Sequence, residues 1–283
     1  MSLFTETTRL LKLYSIKPRK KLGQSFCVNE DLLKKMVEYA KLRKEDIVLE
    51  VGAGLGHLTE LLCKKVAKVY AVEIDPKLIE ILQNRFIDTD NVDILAGDVL
   101  KLQLPNFNKI VSNPPYSISS PLIFKILQSK FEVGIMTLQK DFAGRLIANE
   151  GNKEYGRLTV MVTRKANVKV LEYVPSRVFY PAPKVESAII EIVPFKDENT
   201  MVLNEEKFSE FMRVVFSQRN KKLRNGIISF LKNQHDINGK VENIIDGLPD
   251  MGERVYKISP RRLCALFNEI YERLTVTEHT KRL

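Results

Sequence analysis

Between residues 47 and 138, short β-rich runs alternate with amphipathic stretches, and this alternation restricts the fold more than any other feature of the chain. The runs fall at 47–51, 68–74, 92–96, 109–111 and 133–138, with helices expected in the gaps. Asp75 with Pro76, and Ser120 with Pro121, each read as an N-cap followed by a first-turn proline. Strand–helix alternation predicts an α/β fold with a doubly wound parallel sheet. Two later β-rich runs, 158–174 and 187–193, lie too close together for another crossover helix. They are expected to form an antiparallel pair closing one sheet edge. Beyond them Phe208, Phe211, Met212, Val215 and Phe216, then Leu223, Ile227, Ile228 and Leu231, recur at helical spacing. A boundary is therefore expected near residue 198, dividing an α/β domain (1–198) from a small all-helical domain (199–283).

The 283 residues carry 45 Lys and Arg against 35 Asp and Glu, a net charge of +10. Such an excess fits a polyanionic partner, since each neutralised phosphate releases a counterion. Three scattered cysteines (Cys27, Cys63, Cys264) and three scattered histidines (His57, His235, His279) offer no CxxC pair, so no metal is expected. No stretch approaches the length of a membrane span, and Arg9, Lys12 and Lys17 interrupt any leader-like run. A cytoplasmic protein without a membrane partner is expected.

The first β-rich run ends in Glu50-Val51-Gly52-Ala53-Gly54-Leu55-Gly56. The glycines permit positive φ and close approach of a ligand, or serve only a tight strand-to-helix connection. The pattern is G-x-G-x-G, with His57 where a dinucleotide fingerprint has its third glycine. A carboxylate just before the loop, Glu50, disfavours a pyrophosphate and suits a cationic sulfonium and an α-ammonium group. Glu73 ends the next run, placed to accept from ribose hydroxyls, and Asp98 follows the third, placed to accept from an adenine amine. These signals stand at successive strand ends, the edge where open α/β sheets bind ligands.

After the fourth run come Ser112-Asn113-Pro114-Pro115-Tyr116. Two prolines there either terminate a strand or build a rigid loop rich in acceptors. An adenine N6 amine is a poor nucleophile because its lone pair is delocalised into the ring. The Asn113 side-chain oxygen and the Pro114 carbonyl can accept its two hydrogens and favour a pyramidal nitrogen. Tyr116 can stack on a flipped-out base. No side-chain base is required, because the alkylated amine is acidic enough to lose its proton to water.

The segments LGQSF, LEVGAGLGHLT, AVEID, AGDVL, NPPY, LQKDFAGRL and VFYPAPKVESAII appear in this order. Together they resemble the ribosomal RNA adenine dimethyltransferases, from about Lys20 to Pro194 and more weakly beyond. The resemblance implies a class I, Rossmann-like methyltransferase fold and S-adenosylmethionine as cofactor. It also implies N6 dimethylation of two adjacent adenosines near the 3′ end of small-subunit rRNA. By position it places Ser25, Cys27, Gly52, Glu73, Asp98 and Asn113 at the cofactor, although Asn and Leu are commoner at the first two. It gives Phe179 as a second aromatic stacking opposite Tyr116; otherwise Phe179 is a buried core residue.

Arg219, Lys221, Lys222 and Arg224 form one basic cluster and Arg254, Lys257, Arg261 and Arg262 another. Each is either a solvated helix face or a set of phosphate contacts. With Lys20 and Lys21 near the cofactor mouth, RNA contact is the favoured reading. The expected partner is small-subunit rRNA or the pre-ribosomal small subunit, met by a monomer. Other readings are an erythromycin-resistance-type enzyme acting on large-subunit rRNA, a DNA adenine methyltransferase, and a non-catalytic RNA-binding assembly or transcription factor.

Overall fold

A computed structural model describes residues 1–195, 197–233 and 241–279. Nine strands are present among them: β1 (Phe26–Cys27), β2 (Ile47–Val51), β3 (Lys68–Glu73), β4 (Val92–Ala96), β5 (Lys109–Ser112), β6 (Val133–Gln139), β7 (Ala166–Val174), β8 (Phe179–Tyr180) and β9 (Ser187–Pro194). Seven form one sheet in the order β4-β3-β2-β5-β6-β9-β7. Strands β4, β3, β2, β5 and β6 run parallel, and β9 is antiparallel to β6. The chain winds outward from β2 through β3 to β4, then returns to β5 on the other side of β2. The strand order thus reverses between β2 and β5, and their carboxyl ends flank the crevice where such sheets bind ligands. The parallel strands are nearly continuous apolar runs because helices cover both faces. Val48, Leu49, Val69, Ala71, Ile110, Val111 and Ile135 are all fully buried.

The helices begin where the sequence supplies caps. Asn29 accepts from the amide of Leu32 ahead of helix Glu30–Tyr39, and Asp75 accepts from Lys77 ahead of Pro76–Arg85. Ser120 is not a cap. Helix Ser119–Ile126 starts two residues before Pro121, after a 3-10 turn at Tyr116–Ile118, and the Ser119 hydroxyl donates to the Tyr116 carbonyl.

The run 158–174 is not one strand. Its first part forms helix Arg157–Thr163, and only Ala166–Val174 is extended. Leu-Thr-Val-Met-Val-Thr has high β propensity, which burial overrides here. Leu158, Thr159, Val160 and Val162 are all buried, and the Thr159 hydroxyl accepts from the Gly156 amide to close the first turn. β9 then inserts beside β6, leaving β7 as the outer strand.

The chain folds as two compact units, residues 1–143 with 167–194 and residues 144–166 with 195–283. The segment 144–166 therefore goes with the C-terminal residues, which a single cut near 198 does not capture. Tyr155 and Val160 pack in the same core as Phe208, Phe211, Phe230 and Phe267. The second unit is helical, with Glu205–Ser217, Leu223–Lys232, Val241–Ile245 and Pro260–His279 following Arg157–Thr163. Among the described residues no helix is long and apolar enough to cross a membrane.

Candidate active site at the sheet switch point

The loops leaving β2 and β5 meet at the crevice. The Ser112 hydroxyl ties the two strand ends together, donating to the Val51 carbonyl (2.7 Å) and accepting from the Val51 amide (3.2 Å). Gly52 then turns at φ +75°, and a Cβ there would sit 3.0 Å from Pro115 Cδ. A side chain at 52 is thus opposed by both the backbone conformation and the proline. The glycine-rich loop lies directly against the Asn-Pro-Pro-Tyr loop.

A cleft opens there, lined by the LGQSF segment (22–26), Cys27, Glu50, Gly52–Leu55, Glu73 and Asn113–Tyr116. An adjoining cleft is lined by Lys21, Gly52, Glu73, Asp98, Val99 and Ile118 among others. All six residues proposed to touch the cofactor line one or both clefts. Gln24 holds the LGQSF segment in place, its amide donating to Asp75 (2.8 Å) while its carbonyl accepts from the Arg19 backbone.

Glu50 is 1% exposed, and its carboxylate accepts from the Thr59 hydroxyl at 2.6 Å. Burial, with the nearby Glu73 charge, pushes its pKa up to about 8 against the opposing Thr59 bond. Among the described residues no protein cation pairs with it. A buried carboxylate on the cleft wall without a cationic partner fits a ligand carrying positive charge, as S-adenosylmethionine does. Glu73 is more committed than its sequence position suggested. Its oxygens accept from the amides of Gly54 (2.9 Å), Ile74 (2.8 Å) and Asp75 (2.9 Å), and burial raises its pKa. Three of roughly four acceptor positions are filled, so little is left for a pair of ribose hydroxyls. Asp98 uses one oxygen on the Leu100 amide.

The side chains of Ser25 and Cys27 turn to main-chain carbonyls. Ser25 donates to Pro181 (2.7 Å), and the Cys27 thiol, pushed up to about 11 by burial, donates to Asn29 (3.4 Å).

In the Asn-Pro-Pro-Tyr loop, no described residue donates to the Pro114 carbonyl. The Asn113 side-chain oxygen accepts from the Thr137 hydroxyl, and the Tyr116 hydroxyl bonds that of Ser187 at 2.5 Å. Sequence reasoning missed Thr137 and Ser187. The only signal was a hydroxyl in each of two largely apolar strands. Phe179 does not line either cleft. It is 3% exposed and packs in the core that contains Cys27, Leu33 and Val174, so the arrangement is that of the core alternative. The exposed aromatic is its neighbour Tyr180, whose ring meets Phe4 edge-on.

The basic residues divide into committed and free ones. Arg219 donates to the carbonyls of Lys153 (2.7 Å) and Asn152 (3.1 Å) and lies over the Tyr256 ring. Arg224 pairs with Glu242, Arg261 with Asp197 and Arg262 with Asp250. These are structural partners. Lys221, Lys222 and Lys257 are exposed, without a described side-chain partner. A backbone bridge between Lys222 and Arg254, and a hydrogen bond donated by the Val255 amide to the Lys221 carbonyl, merge the two clusters into one patch. Lys21 lines the adjoining cleft, whereas the side chain of Lys20 lies outside what is described.

Comparisons with known proteins agree with this geometry. The family model "Ribosomal RNA adenine dimethylase" matches residues 16–272. A probable ribosomal RNA small subunit methyltransferase A of Methanosarcina barkeri is 42% identical, covering 95% of this chain and 93% of the relative. Its counterpart from Pyrococcus furiosus is 39% identical over 89% and 92%. Among solved structures, a dimethyladenosine transferase from Plasmodium falciparum superposes with a TM-score of 0.77 at 28% identity, covering 87% of this chain and 98% of that one. The 23S rRNA methyltransferase ErmE gives 0.60 at 26%, covering 87% and 99%. The sheet is that of a class I methyltransferase, and the chain belongs to the ribosomal RNA adenine dimethylase family.

Proposed function

We propose that this chain transfers methyl groups from S-adenosylmethionine to N6 of adenosines in small-subunit ribosomal RNA, dimethylating two adjacent adenosines on the pre-ribosomal small subunit in the cytoplasm. The observation that carries this reading is the contact of the two loops at the switch point, where Gly52 abuts Pro115. It sets a cationic-ligand cleft directly beside acceptors suited to an amine.

When bound, S-adenosylmethionine supplies an electrophilic methyl group on a cationic sulfur. The chain's residues hold and orient what surrounds it. Glu50 offers negative charge to the cationic end, and Glu73 and Asp98 flank the adenosine end. Asn113 Oδ1, through the lone pair not used by Thr137, and the Pro114 carbonyl accept from the amine hydrogens. Tyr116 offers a ring face to the base. The bound cofactor would supply the methyl group that the amine nitrogen takes up, and the amine proton would pass to solvent. His57 is not a base for this step. Burial and Arg85 lower its pKa to about 4, and its ring is bonded to Thr7 at 3.1 Å. Catalysis is then positioning and electrostatics. The Lys221, Lys222 and Lys257 patch of the second unit supplies phosphate contacts, reading RNA backbone and shape.

The test is transfer of labelled methyl groups to immature small subunits, naked small-subunit rRNA, large-subunit rRNA and DNA. N6,N6-dimethyladenosine in the small-subunit substrates alone is expected. Label only in large-subunit RNA, or only in DNA, would overturn the assignment.

A further inference from the structure

Two buried hydroxyls lie beneath the reactive loop, and neither belongs to it. Thr137 sits in β6 and Ser187 opens β9, both with no exposed surface. In the antiparallel register Thr137 faces Ile189, and Gln139 faces Ser187. Residues two apart on a strand share a face, as do residues directly opposed across a ladder. Both hydroxyls therefore emerge on one face of the sheet. From there Thr137 donates to Asn113 and Ser187 bonds Tyr116, so each end of the Asn-Pro-Pro-Tyr segment is tied to a different strand.

The surroundings argue that these hydroxyls are there for their bonds. Ile135 and Ile189, on the same face, are apolar and fully buried. Valine has nearly the shape of threonine and would fill the same space without a polar atom to satisfy. A carboxamide, moreover, has two ends of nearly equal size and opposite polarity. The Thr137 hydroxyl makes no other bond among the described residues, so a reversed Asn113 amide would leave its proton unpaired in a buried place.

We propose that Thr137 and Ser187 are positioning residues: Thr137 fixes the polarity of the Asn113 carboxamide so that oxygen faces the target amine, and Ser187 fixes the Tyr116 ring. This rests on the reading of Asn113 as an acceptor for the amine. With the Thr137 proton on one lone pair of Oδ1, the second is held for an amine hydrogen. Without that proton the amide can turn over and oppose its own NH₂ to the amine, which repels the substrate's hydrogens. Cofactor binding does not depend on that orientation, so the effect falls on turnover.

The experiment uses the full chain and small-subunit RNA with three variants at Asn113 and Thr137, namely Asn113→Ala, Thr137→Val and Thr137→Ser. Thr137→Val keeps the shape and loses the bond, whereas Thr137→Ser keeps the bond and loses a methyl. The expected result is a kcat lowered about tenfold to a hundredfold in Thr137→Val, with cofactor Kd unchanged, and recovery in Thr137→Ser. A role in packing alone gives the reverse order, and that order would overturn the proposal. Ser187→Ala and Tyr116→Phe should each slow turnover, and their double variant should be no slower than the worse single one, because one bond is lost in all three. Additive losses would remove Ser187 from the proposal. Should Thr137→Val not fold, Thr137→Ser still decides, since turnover as poor as that of Asn113→Ala would contradict a retained bond. Failure of the underlying reading looks different: wild type would leave adenine unmethylated, or Asn113→Ala would turn over normally.

Discussion

Replacing Glu50 with glutamine keeps the side chain's shape and removes its titration. The carboxyl is 1% exposed, and burial keeps it protonated up to a pKa of about 8 in the ligand-free protein. A cation in the cleft favours the ionised form, so binding at neutral pH releases the Glu50 proton. Affinity should rise with pH by up to about tenfold per unit until the free carboxyl ionises. Over two units below 8 this reaches roughly a hundredfold, or ~2.7 kcal/mol at 1.36 kcal/mol per unit. The ligand-free fold responds with the opposite sign. The folded pKa lies above the ordinary 4.5, so the stability Glu50 contributes is complete below that value and lost as pH rises through 8. Calorimetric titration of S-adenosylmethionine, and thermal melts without it, from about pH 6 to 8.5 read both effects. The cofactor's own amine titrates against both proteins, so the difference between wild type and Glu50→Gln isolates Glu50. Wild type should show the steeper rise in affinity and the steeper fall in Tm. Parallel profiles in the two proteins would refute a cationic ligand facing Glu50.

The remaining expectations follow the same geometry. Asn113→Ala should lower kcat by about a hundredfold or more, the cost of one preorganised contact, as measured by single-turnover methyl transfer. Glu73→Ala removes the acceptor for three backbone amides, so it should lower Tm as well as weaken cofactor binding by about 1–3 kcal/mol. Normal Tm with weak binding would place its role on the ligand alone. Lys221→Glu with Lys222→Glu should weaken RNA binding and flatten its salt dependence while leaving cofactor affinity intact. Arg219 is left alone in that test because it holds the 152–153 backbone. Phe179→Ala should cost about 3–5 kcal/mol of stability as a core truncation, read by denaturant unfolding. If its ring also stacks on the base, N6-monomethyladenosine should accumulate in digests of the product.

The α/β layout was legible because each parallel strand is a short apolar run with turn or cap residues at its end. Helix Arg157–Thr163 was not, since β-branched residues there favour a strand and only packing beside Phe208 and Phe267 makes a helix. The cofactor glycines and the Asn-Pro-Pro-Tyr loop announce themselves by unusual residues at strand ends. Thr137, Ser187 and Ser112 do not, because a hydroxyl in a strand is ordinary until its partner is known. Charge runs had the same weakness. Sequence counts Arg219 and Lys221 alike, and folding spends one on backbone carbonyls and leaves the other in water. Phe179 lies next to Tyr180 in the same motif, and only the strand register tells which ring is buried.

The hydroxyl clasp of Ser112 on Val51 has an evolutionary consequence. Adjacent strands in a sheet stand ~4.8 Å apart, a spacing set by backbone hydrogen bonds and indifferent to side-chain identity. The glycine-rich loop and the Asn-Pro-Pro-Tyr loop leave neighbouring strands, so their separation is inherited from the sheet. On the proposed function, changes on the basic patch of the second unit would alter which RNA is held without retuning that distance. Selection for a new target and selection for transfer chemistry then act on different residues, and either can drift without dragging the other along.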